Sequence, residues 1–418
     1  MMENLGDRRL NMEALRQRLR QVGAPVRSTP PPSVRQSPAP VDGSLKESLG
    51  GEEIEGCHVI TASYEAAHHH AGIPLQSLWQ SQGQALAWLT SDPSLNHFDF
   101  RETLFIDTET NGLAGGAGTY AFLIGVAYWA EGSFHVQQFF MRHPREEAVV
   151  LARLSPLLER FSSFVSFNGK SFDLSVLEAR YILTRQPRAL KKRPHLDLLH
   201  PARRLWKLRL PSCSLGSLEQ RILGASRDQS DVPGYLIPQL YNTFLRDGNA
   251  APLQGVFYHN HQDLLALAAL AVYMVRLCTD PERHTPPHGQ DHVALGRLYD
   301  DNQQWEQAER CYRRALTMPL PQSLRSDCLC RLSLLLKRAA RWEEATSLWR
   351  SLLDTGVLYP YIELAKYHEH QSRDLAAAER AVLAALDLSL THEEALALTH
   401  RLERIRQKQQ RQVANPPC

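Results

Sequence analysis

Two carboxylates stand one residue apart where an apolar run ends, in the stretch LFIDTETNGL. Asp107 and Glu109 directly follow residues 104–106. On a β-strand, residues i and i+2 leave the same face, roughly 6 to 7 Å apart. Two acids this close repel each other unless a cation lies between them, and carboxylate oxygens are the ligands that magnesium and manganese prefer. The spacing predicts a divalent metal site at a strand end; a solvated strand end is the alternative.

Two further acids stand near the start of predicted helices. Asp173 lies in the first turn of the helix predicted after FVSFNG, where an acid also serves as a cap or complements the helix dipole. Asp263 is the one carboxylate in YHNHQDLLALAALAVYMV, an apolar helix on which a charge is costly unless it is paired or bound to metal. His259 precedes Asp263 by four residues, so both share one helix face. These residues join Asp107 and Glu109 in one candidate site.

Strand-like and helix-like patterns alternate from about residue 55 to residue 285. The runs AFLIGVAYW and FHVQQFFMR, with a turn at Glu131-Gly132 between them, predict two strands of an antiparallel meander. The helical run EEAVVLARLSPLLERF then leads to a buried strand, FVSF, and a turn at Asn168-Gly169. This alternation is typical of an α/β domain, so residues 55–285 are predicted to form one.

Spaced motifs in this region resemble a known nuclease family. The stretches DTETNGL and GGAGTYAF (107–122) and FNGKSFD (167–173) are similar to motifs of the YprB-like family among the DEDD-type 3′→5′ exonucleases. The resemblance covers about residues 55–285 and implies a ribonuclease-H-like mixed sheet flanked by helices. It also implies two-metal hydrolysis of phosphodiester bonds in DNA or RNA. Two magnesium or manganese ions would be held by Asp107, Glu109, Asp173 and Asp263.

A residue near the last acid is expected to be the general base of this family. One subtype has His five residues before the aspartate, where this chain has Tyr258, and the other has Tyr four residues before, where it has His259. An imidazole titrates near neutral pH, which suits a general base. His259 is therefore the predicted base, and Tyr258 is the alternative.

Basic residues are concentrated between Arg180 and Arg209, where ten stand against one acid, Asp197. On a chain of net charge +2, such a local excess indicates phosphate binding, and a tryptophan within it offers a ring for base stacking. A solvated basic helix is the alternative. The predicted nucleic-acid contacts, which include two residues of the FNGKSFD turn, are Asn168, Lys170, Lys191, Lys192, Arg193, Arg203, Arg204, Trp206 and Lys207.

Only the helical period continues after about residue 288, and there it repeats. The segments ALGRLYDDNQQWEQAERCYRRAL, RLSLLLKRAARWEEATSLWRSLL and LAKYHEHQSRDLAAAERAVLAAL align Trp305, Trp342 and Leu375, which are 37 and 33 residues apart. These offsets resemble the tetratricopeptide unit of about 34 residues. Residues 288–410 are therefore predicted to form an all-α, tetratricopeptide-like array whose concave side binds a protein partner. Helices that merely pack on the preceding domain are the alternative.

The remaining features concern the arm and the cellular setting. Residues 1–54 are rich in Pro and Ser and predict a disordered arm. The seven cysteines have no metal or disulfide spacing, and no apolar run approaches the roughly 20 residues of a membrane helix. A cytoplasmic protein without membrane contact is therefore expected.

The predicted function is a metal-dependent 3′→5′ exonuclease. A catalytically silent nucleic-acid-binding scaffold, whose repeats recruit a protein partner, is the alternative from a different class. The residues leave open the choice between DNA and RNA and between exonuclease and endonuclease activity.

Overall fold

The computed structural model describes residues 42–80, 83–112 and 118–414. The predicted arm spans residues 1–54, and its residues 1–41 therefore lie outside the described residues. From there the chain forms helix α1 (Asp42–Leu49) and strand β1 (Glu52–Ile54), and Leu45 is buried. Regular structure thus begins before the predicted boundary at residue 55.

A seven-stranded mixed sheet lies at the centre of the first part of the chain. Its order is β1-β2-β7-β6-β5-β8-β9, in which the β5–β8 and β8–β9 pairs are parallel and the other pairs antiparallel. The predicted meander and the predicted fold class are confirmed. The strands are β1 (Glu52–Ile54), β2 (Cys57–Glu65), the separate hairpin β3 (His69–His70) and β4 (Ile73–Pro74), β5 (Thr103–Thr110), β6 (Ala121–Ala130), β7 (Ser133–Phe140), β8 (Ser163–Ser166) and β9 (His195–Asp197).

Helices cover both faces of this sheet. Along β5 the apolar side chains alternate, so that Leu104 and Ile106 join one buried cluster and Phe105 joins the other, as the two-residue period of a strand requires. The helices are α2 (Gly83–Thr90), α3 (Glu147–Arg160), α4 (Asp173–Leu183), α5 (Leu199–Trp206), α6 (Leu215–Leu218), α7 (Ile237–Asp247) and α8 (Gln254–Thr279). Helices α3, α4 and α7 close the first cluster, and α5 and α8 close the second.

Helix α8 is the central helix of this part. Among the residues that the structure describes, the stretch Ala251–Thr279 is the one helical segment long and apolar enough to span a membrane by length and composition. However, 72% of its most apolar window is buried within the protein. A helix that packs in a protein core has the same property.

The chain from Gly289 to Ala414 consists of helices and the turns between them. Its helices are α9 (Gly289–Asp301), α10 (Trp305–Leu316), α11 (Gln322–Arg338), α12 (Trp342–Ser351), α13 (Tyr359–His370), α14 (Leu375–Leu386) and α15 (His392–Ala414). Helices α9 and α10, α11 and α12, and α13 and α14 form successive pairs, and α15 packs on α14. Gln303, Ala340 and Arg373 all have positive φ, and each lies two residues before the second helix of its pair. The pairs therefore share one turn geometry; their equivalence with tetratricopeptide units stays a prediction.

The first helical pair packs directly on the α/β part. Arg209, just after α5, forms an ion pair of 2.9 Å with the buried Asp291 of α9. The Tyr299 hydroxyl on α9 donates a hydrogen bond of 2.8 Å to the carbonyl oxygen of Cys278 on α8. One apolar cluster continues from α8 into α9 and α10. The predicted boundary near residues 285–288 falls between α8 and α9, and two separable domains remain a prediction.

Candidate active site

Strand β5 presents Asp107 and Glu109 toward the face that α8 covers. Asp107 lies opposite Gly125 of β6, and Asn260 of α8 reaches it through that gap: its Nδ2 donates to Asp107 Oδ2 at 2.8 Å. A Cβ atom on Gly125 would stand only 2.1 Å from Asn260 Oδ1. Gln138 of β7 also donates to Asn260 Oδ1, at 2.9 Å. The glycine in AFLIGVAYW thus permits α8 to pack close enough to contact the first acid.

The start of α4 brings Asp173 to the same strand. Thr108, the residue between Asp107 and Glu109, donates to Asp173 Oδ1 from its backbone nitrogen at 3.1 Å and from its hydroxyl at 2.5 Å. Asp173 is buried. These two bonds tie the first turn of α4 to β5, so three of the predicted acids lie together.

The turn between β8 and α4 is held by Asp197 of β9. Its carboxylate accepts hydrogen bonds from the backbone nitrogens of Asn168 at 2.7 Å and Lys170 at 3.1 Å. Asn168 has a φ of 66°, and Gly169 packs so closely that a Cβ there would lie 2.2 Å from Ser166 Oγ. Asp197, the lone acid of the basic stretch, therefore shapes the FNGKSFD turn that positions Asp173.

Helix α8 adds Asp263 and His259. The Nε2 atom of His259 lies 3.5 Å from Asp263 Oδ2, and its Nδ1 lies 2.7 Å from Asp231 Oδ1. Because a carboxylate only accepts, Nδ1 donates to Asp231 and leaves Nε2 able to accept a proton. The Tyr258 hydroxyl instead accepts a bond of 3.4 Å from the backbone nitrogen of Asp228. Of the two candidate bases, His259 is the one beside the acids.

Burial raises the pKa values of all four acids, and repulsion from other acids of the cluster adds to the rise at Asp107 and Glu109. Burial raises the pKa of Glu109 to about 8, helped by Asp263 and Asp173. The pKa of Asp107 is raised well above its ordinary value by burial and then by the three other carboxylates. Burial raises the pKa of Asp173 to about 6, against the bonds from Thr108, and also raises that of Asp263 despite a nearby arginine. Four carboxylates thus share one poorly hydrated region.

That arginine, Arg227, was not among the predicted site residues. It lies in the segment between the π-helical turn Glu219–Leu223 and α7. Its Nη2 is hydrogen-bonded to Asp263 Oδ1, and its Nε donates to the buried Glu219 at 2.7 Å. Burial alone would lower the pKa of Arg227, but Asp263 and Glu219 raise it above its ordinary range. The guanidinium is therefore a permanent counter-ion of the site.

A second layer of residues holds this arginine. Glu219 also bonds to His70 Nε2 at 3.2 Å, and Arg227 Nη1 lies 3.6 Å from Asp231 Oδ2. His70, Glu219, Arg227 and Asp263 therefore form a continuous chain of polar contacts. The sequence gives little indication of this chain of contacts, because an arginine in a polar segment without periodicity normally lies on a solvated surface.

Replacing Arg227 by glutamine is expected to strengthen manganese binding while weakening the metal-free fold. The change frees Asp263 Oδ1 and makes the region more negative, which favours a cation. It also leaves buried carboxylates without their partner, a loss of about 3–5 kcal/mol. Melting with and without Mn²⁺ measures both effects, because the variant should melt lower in EDTA and gain more from the ion. Arg221→Gln, at an exposed position nearby, is the control; an equal gain for both variants contradicts the prediction.

The donor set suits a hard divalent cation. The site offers carboxylate oxygens, which are the ligand atoms that magnesium and manganese prefer. They belong to Asp107, Glu109, Asp173 and Asp263. Within the described ranges, however, no group of three or more His, Cys, Asp or Glu already has the arrangement of a metal site. Asn260, Thr108 and Arg227 each engage one oxygen of an acid. The residues fit the ion by type and location, and a cation would compete with these protein donors.

The predicted nucleic-acid contacts divide into exposed residues and residues that are partly or fully buried. Asn168, Lys170, Lys191, Lys192, Arg203 and Lys207 are exposed. By contrast, Arg193 donates to backbone carbonyls at the end of α3, including that of Phe161 at 2.8 Å, and Arg204 pairs with Asp301 at 2.9 Å. Both arginines are partnered within the protein, and their contact with nucleic acid stays a prediction.

The buried position of Trp206 contradicts the prediction that its ring stacks on a base. Only 1% of its surface is exposed, and its ring packs 6.3 Å from that of Tyr273 on α8. A ring enclosed in this way has no face for a base. The helical spacing of Ala202, Leu205 and Trp206, all buried, was the signal for an apolar helix face.

A mixed sheet in this order, with acids converging on strand β5, defines a ribonuclease-H-like protein. Residues 104–275 match the family model of the RNase H superfamily. The chain is also similar to a protein of Bacillus subtilis (strain 168) that is named uncharacterized protein YprB. The two are 33% identical over 375 residues, and the alignment covers 85% of this chain and 87% of that protein. The chain therefore belongs to the YprB family and carries an RNase H-superfamily domain.

Proposed function

We propose that this protein is a metal-dependent nuclease that removes nucleotides from the 3′ end of DNA or RNA. The observation that carries the proposal is the convergence of four carboxylates from β5, α4 and α8 with His259 beside the last of them. Membership of the RNase H superfamily, which typically contains nucleases, supports it.

The residues divide the work in a simple way. His259 receives the proton of the attacking water at Nε2, because its Nδ1 donates to Asp231 Oδ1, 2.7 Å away. The exposed Lys170, Lys191 and Lys192 attract the phosphate chain. Magnesium or manganese held by the four acids would supply Lewis-acid stabilisation of the charge that develops on the phosphate.

The test is hydrolysis of end-labelled oligonucleotides. We expect the purified protein to shorten single- or double-stranded DNA or RNA in steps of one nucleotide from the 3′ end, with Mn²⁺ or Mg²⁺ and not with EDTA. Substrates with a blocked 3′ end should resist. Internal cleavage of blocked substrates would show an endonuclease instead, and absence of metal-dependent cleavage on all four substrates would refute the proposal.

The alternative of a catalytically silent binding protein has one observation in its favour. Arg227 already neutralises Asp263, so the acid cluster is partly compensated without an added cation. If the protein binds nucleic acid and Mn²⁺ leaves both the bound strand and the melting temperature unchanged, this alternative explains the site better. In this alternative the helical pairs bind a protein partner.

A further inference from the structure

A second basic site lies in the helical part of the chain. A cavity of about 550 Å³ opens among helices α11, α12, α13 and α15. Five cationic side chains and one carboxylate, Glu363, line it; with the buried Glu369 that pairs with three of these cations, a surplus of three positive charges remains. The cations, contributed by three different helices, are Lys337, Lys366, Arg401, Arg404 and Lys408.

A buried glutamate organises three of these cations. The side chain of Glu369 on α13 is 0% exposed, and it accepts bonds from Arg401 at 3.0 Å, Arg404 at 2.9 Å and Lys408 at 2.7 Å. Burial alone would raise its pKa, but the bonds from Arg404 and Lys408 outweigh burial and lower the pKa to about 2. The carboxylate therefore stays charged and fixes three flexible cations from α15 at one end of the cavity.

A second buried glutamate holds the cations at the other end. Glu363 accepts a bond from Lys366 at 2.7 Å and is paired with Lys337. Arginine and lysine carry several N–H donors each, so donors remain after these pairs are made. Cations that are already immobilised lose less side-chain entropy when an anion binds.

Aromatic rings stand beside the charges. Trp342 and Tyr367 line the same cavity, with ring centroids 5.8 Å apart and planes inclined by 37°, and both side chains are half-buried. Basic groups together with ring faces are the pattern of single-stranded nucleic-acid binding. An extended acidic peptide would also need partners for its backbone amides, and Gln371 is the one side-chain amide among the lining residues.

We propose that this cavity binds a single strand of nucleic acid. Phosphates contact Arg404 and Lys408, and a base stacks against Tyr367. Binding at this cavity is a property separate from the proposed hydrolysis. It rests on the proposed function only in taking nucleic acid as the class of ligand. The cavity lies on the helical pairs, at residues different from those that carry the acids, so binding here is separable from cleavage.

Binding is measured on the full chain in EDTA, by anisotropy of a fluorescein-labelled oligothymidine or oligouridine of about 15 nucleotides. All proteins carry Asp107→Asn, so failure of the proposed nuclease does not affect the result. Arg404→Gln with Lys408→Gln should weaken binding and reduce the slope of log K against log salt by about 1.4, since each lost phosphate contact removes about 0.7. Arg406→Gln with Arg310→Gln, both exposed and paired with Glu379 and Glu282, is the control of equal charge.

Tyr367→Ala tests the stacking independently of charge. It should weaken binding by about 5- to 100-fold with the salt slope unchanged, whereas Tyr367→Phe should bind as the parent does. If the double variant melts abnormally, Arg404→Gln alone replaces it, because Glu369 then keeps Arg401 and Lys408. Equal affinities for the cavity variant and its control overturn the proposal. The proposal is also overturned if the cavity variant no longer binds a glutamate-rich peptide but still binds the oligonucleotide. The cavity is then a protein-docking site.

Discussion

Replacing Asp107 by asparagine is expected to abolish hydrolysis, with a loss of at least about 10³-fold. Metal stabilisation of the developing charge contributes several kcal/mol, and each 1.36 kcal/mol is about tenfold in rate. Burial and then the charges of Asp263, Glu109 and Asp173 raise the pKa of Asp107, so its carboxylate interacts with all three other acids. Asparagine keeps its shape and can still bond to Asn260.

The same variant has a signature that does not depend on activity. Because the pKa of Asp107 is raised, the folded protein holds a proton there more tightly than the unfolded chain does. The metal-free wild type therefore loses stability as the pH rises above about 4, and the variant is spared this loss. In EDTA, Asp107→Asn should melt above wild type by a margin that grows from about pH 5 to pH 8.

Two measurements check this prediction. Titration calorimetry with Mn²⁺ should show weakened or absent binding, and oligonucleotide affinity in EDTA should be nearly unchanged, because the exposed lysines remain. Asp387→Asn, the same change at an exposed helix end, should behave as wild type in all assays. A variant that still cleaves at the wild-type rate would show that Asp107 holds no ion.

Replacing His259 by alanine is expected to lower kcat by about 10²- to 10⁴-fold, the span of a positioned general base. Its Nε2 faces Asp263 at 3.5 Å while Asp231 fixes its Nδ1, so the ring is already oriented. KM and Mn²⁺ affinity should change little, since the four carboxylates remain. His259→Tyr should recover part of the rate, because a phenol can still orient water by hydrogen bonding.

Tyr258→Phe is the matched control on the same helix. The Tyr258 hydroxyl contacts the backbone of Asp228, and adjacent helical residues point about 100° apart. The control should therefore retain nearly full activity. If Tyr258→Phe is instead the crippling change and His259→Ala is nearly silent in single-turnover assays, the assignment of the base is wrong.

Local patterns were sufficient to predict the sheet strands beside the acids and the helix that carries Asp173. Alternating and continuous apolar runs predicted β6, β7 and β8, and Asp173 lies in the first turn of its helix as expected. The partners of the acids depend on tertiary packing. Asn260 looks like a capping residue within HNHQD, and only the gap at Gly125 shows that it reaches Asp107.

Counting charges along a chain ignores which way each side chain points. Arg193 donates to carbonyl oxygens, and Arg204 pairs with the exposed Asp301. Trp206 lies among bases in the sequence and yet belongs to the buried face of α5. Arg227 was missed for the converse reason, since its polar segment gives no hint that it enters the acid cluster.

The position of α8 in the chain has a consequence for the timing of synthesis. Asp263 and Asn260 are added about 150 residues after Asp107, which at about 5–20 residues per second is a delay of roughly 8 to 30 s. During this interval β5 can pair with β6 and then with β8, but its acids lack the helix that contacts them. A growing chain on the ribosome therefore holds an incomplete set of carboxylates, and the site is assembled only late in translation.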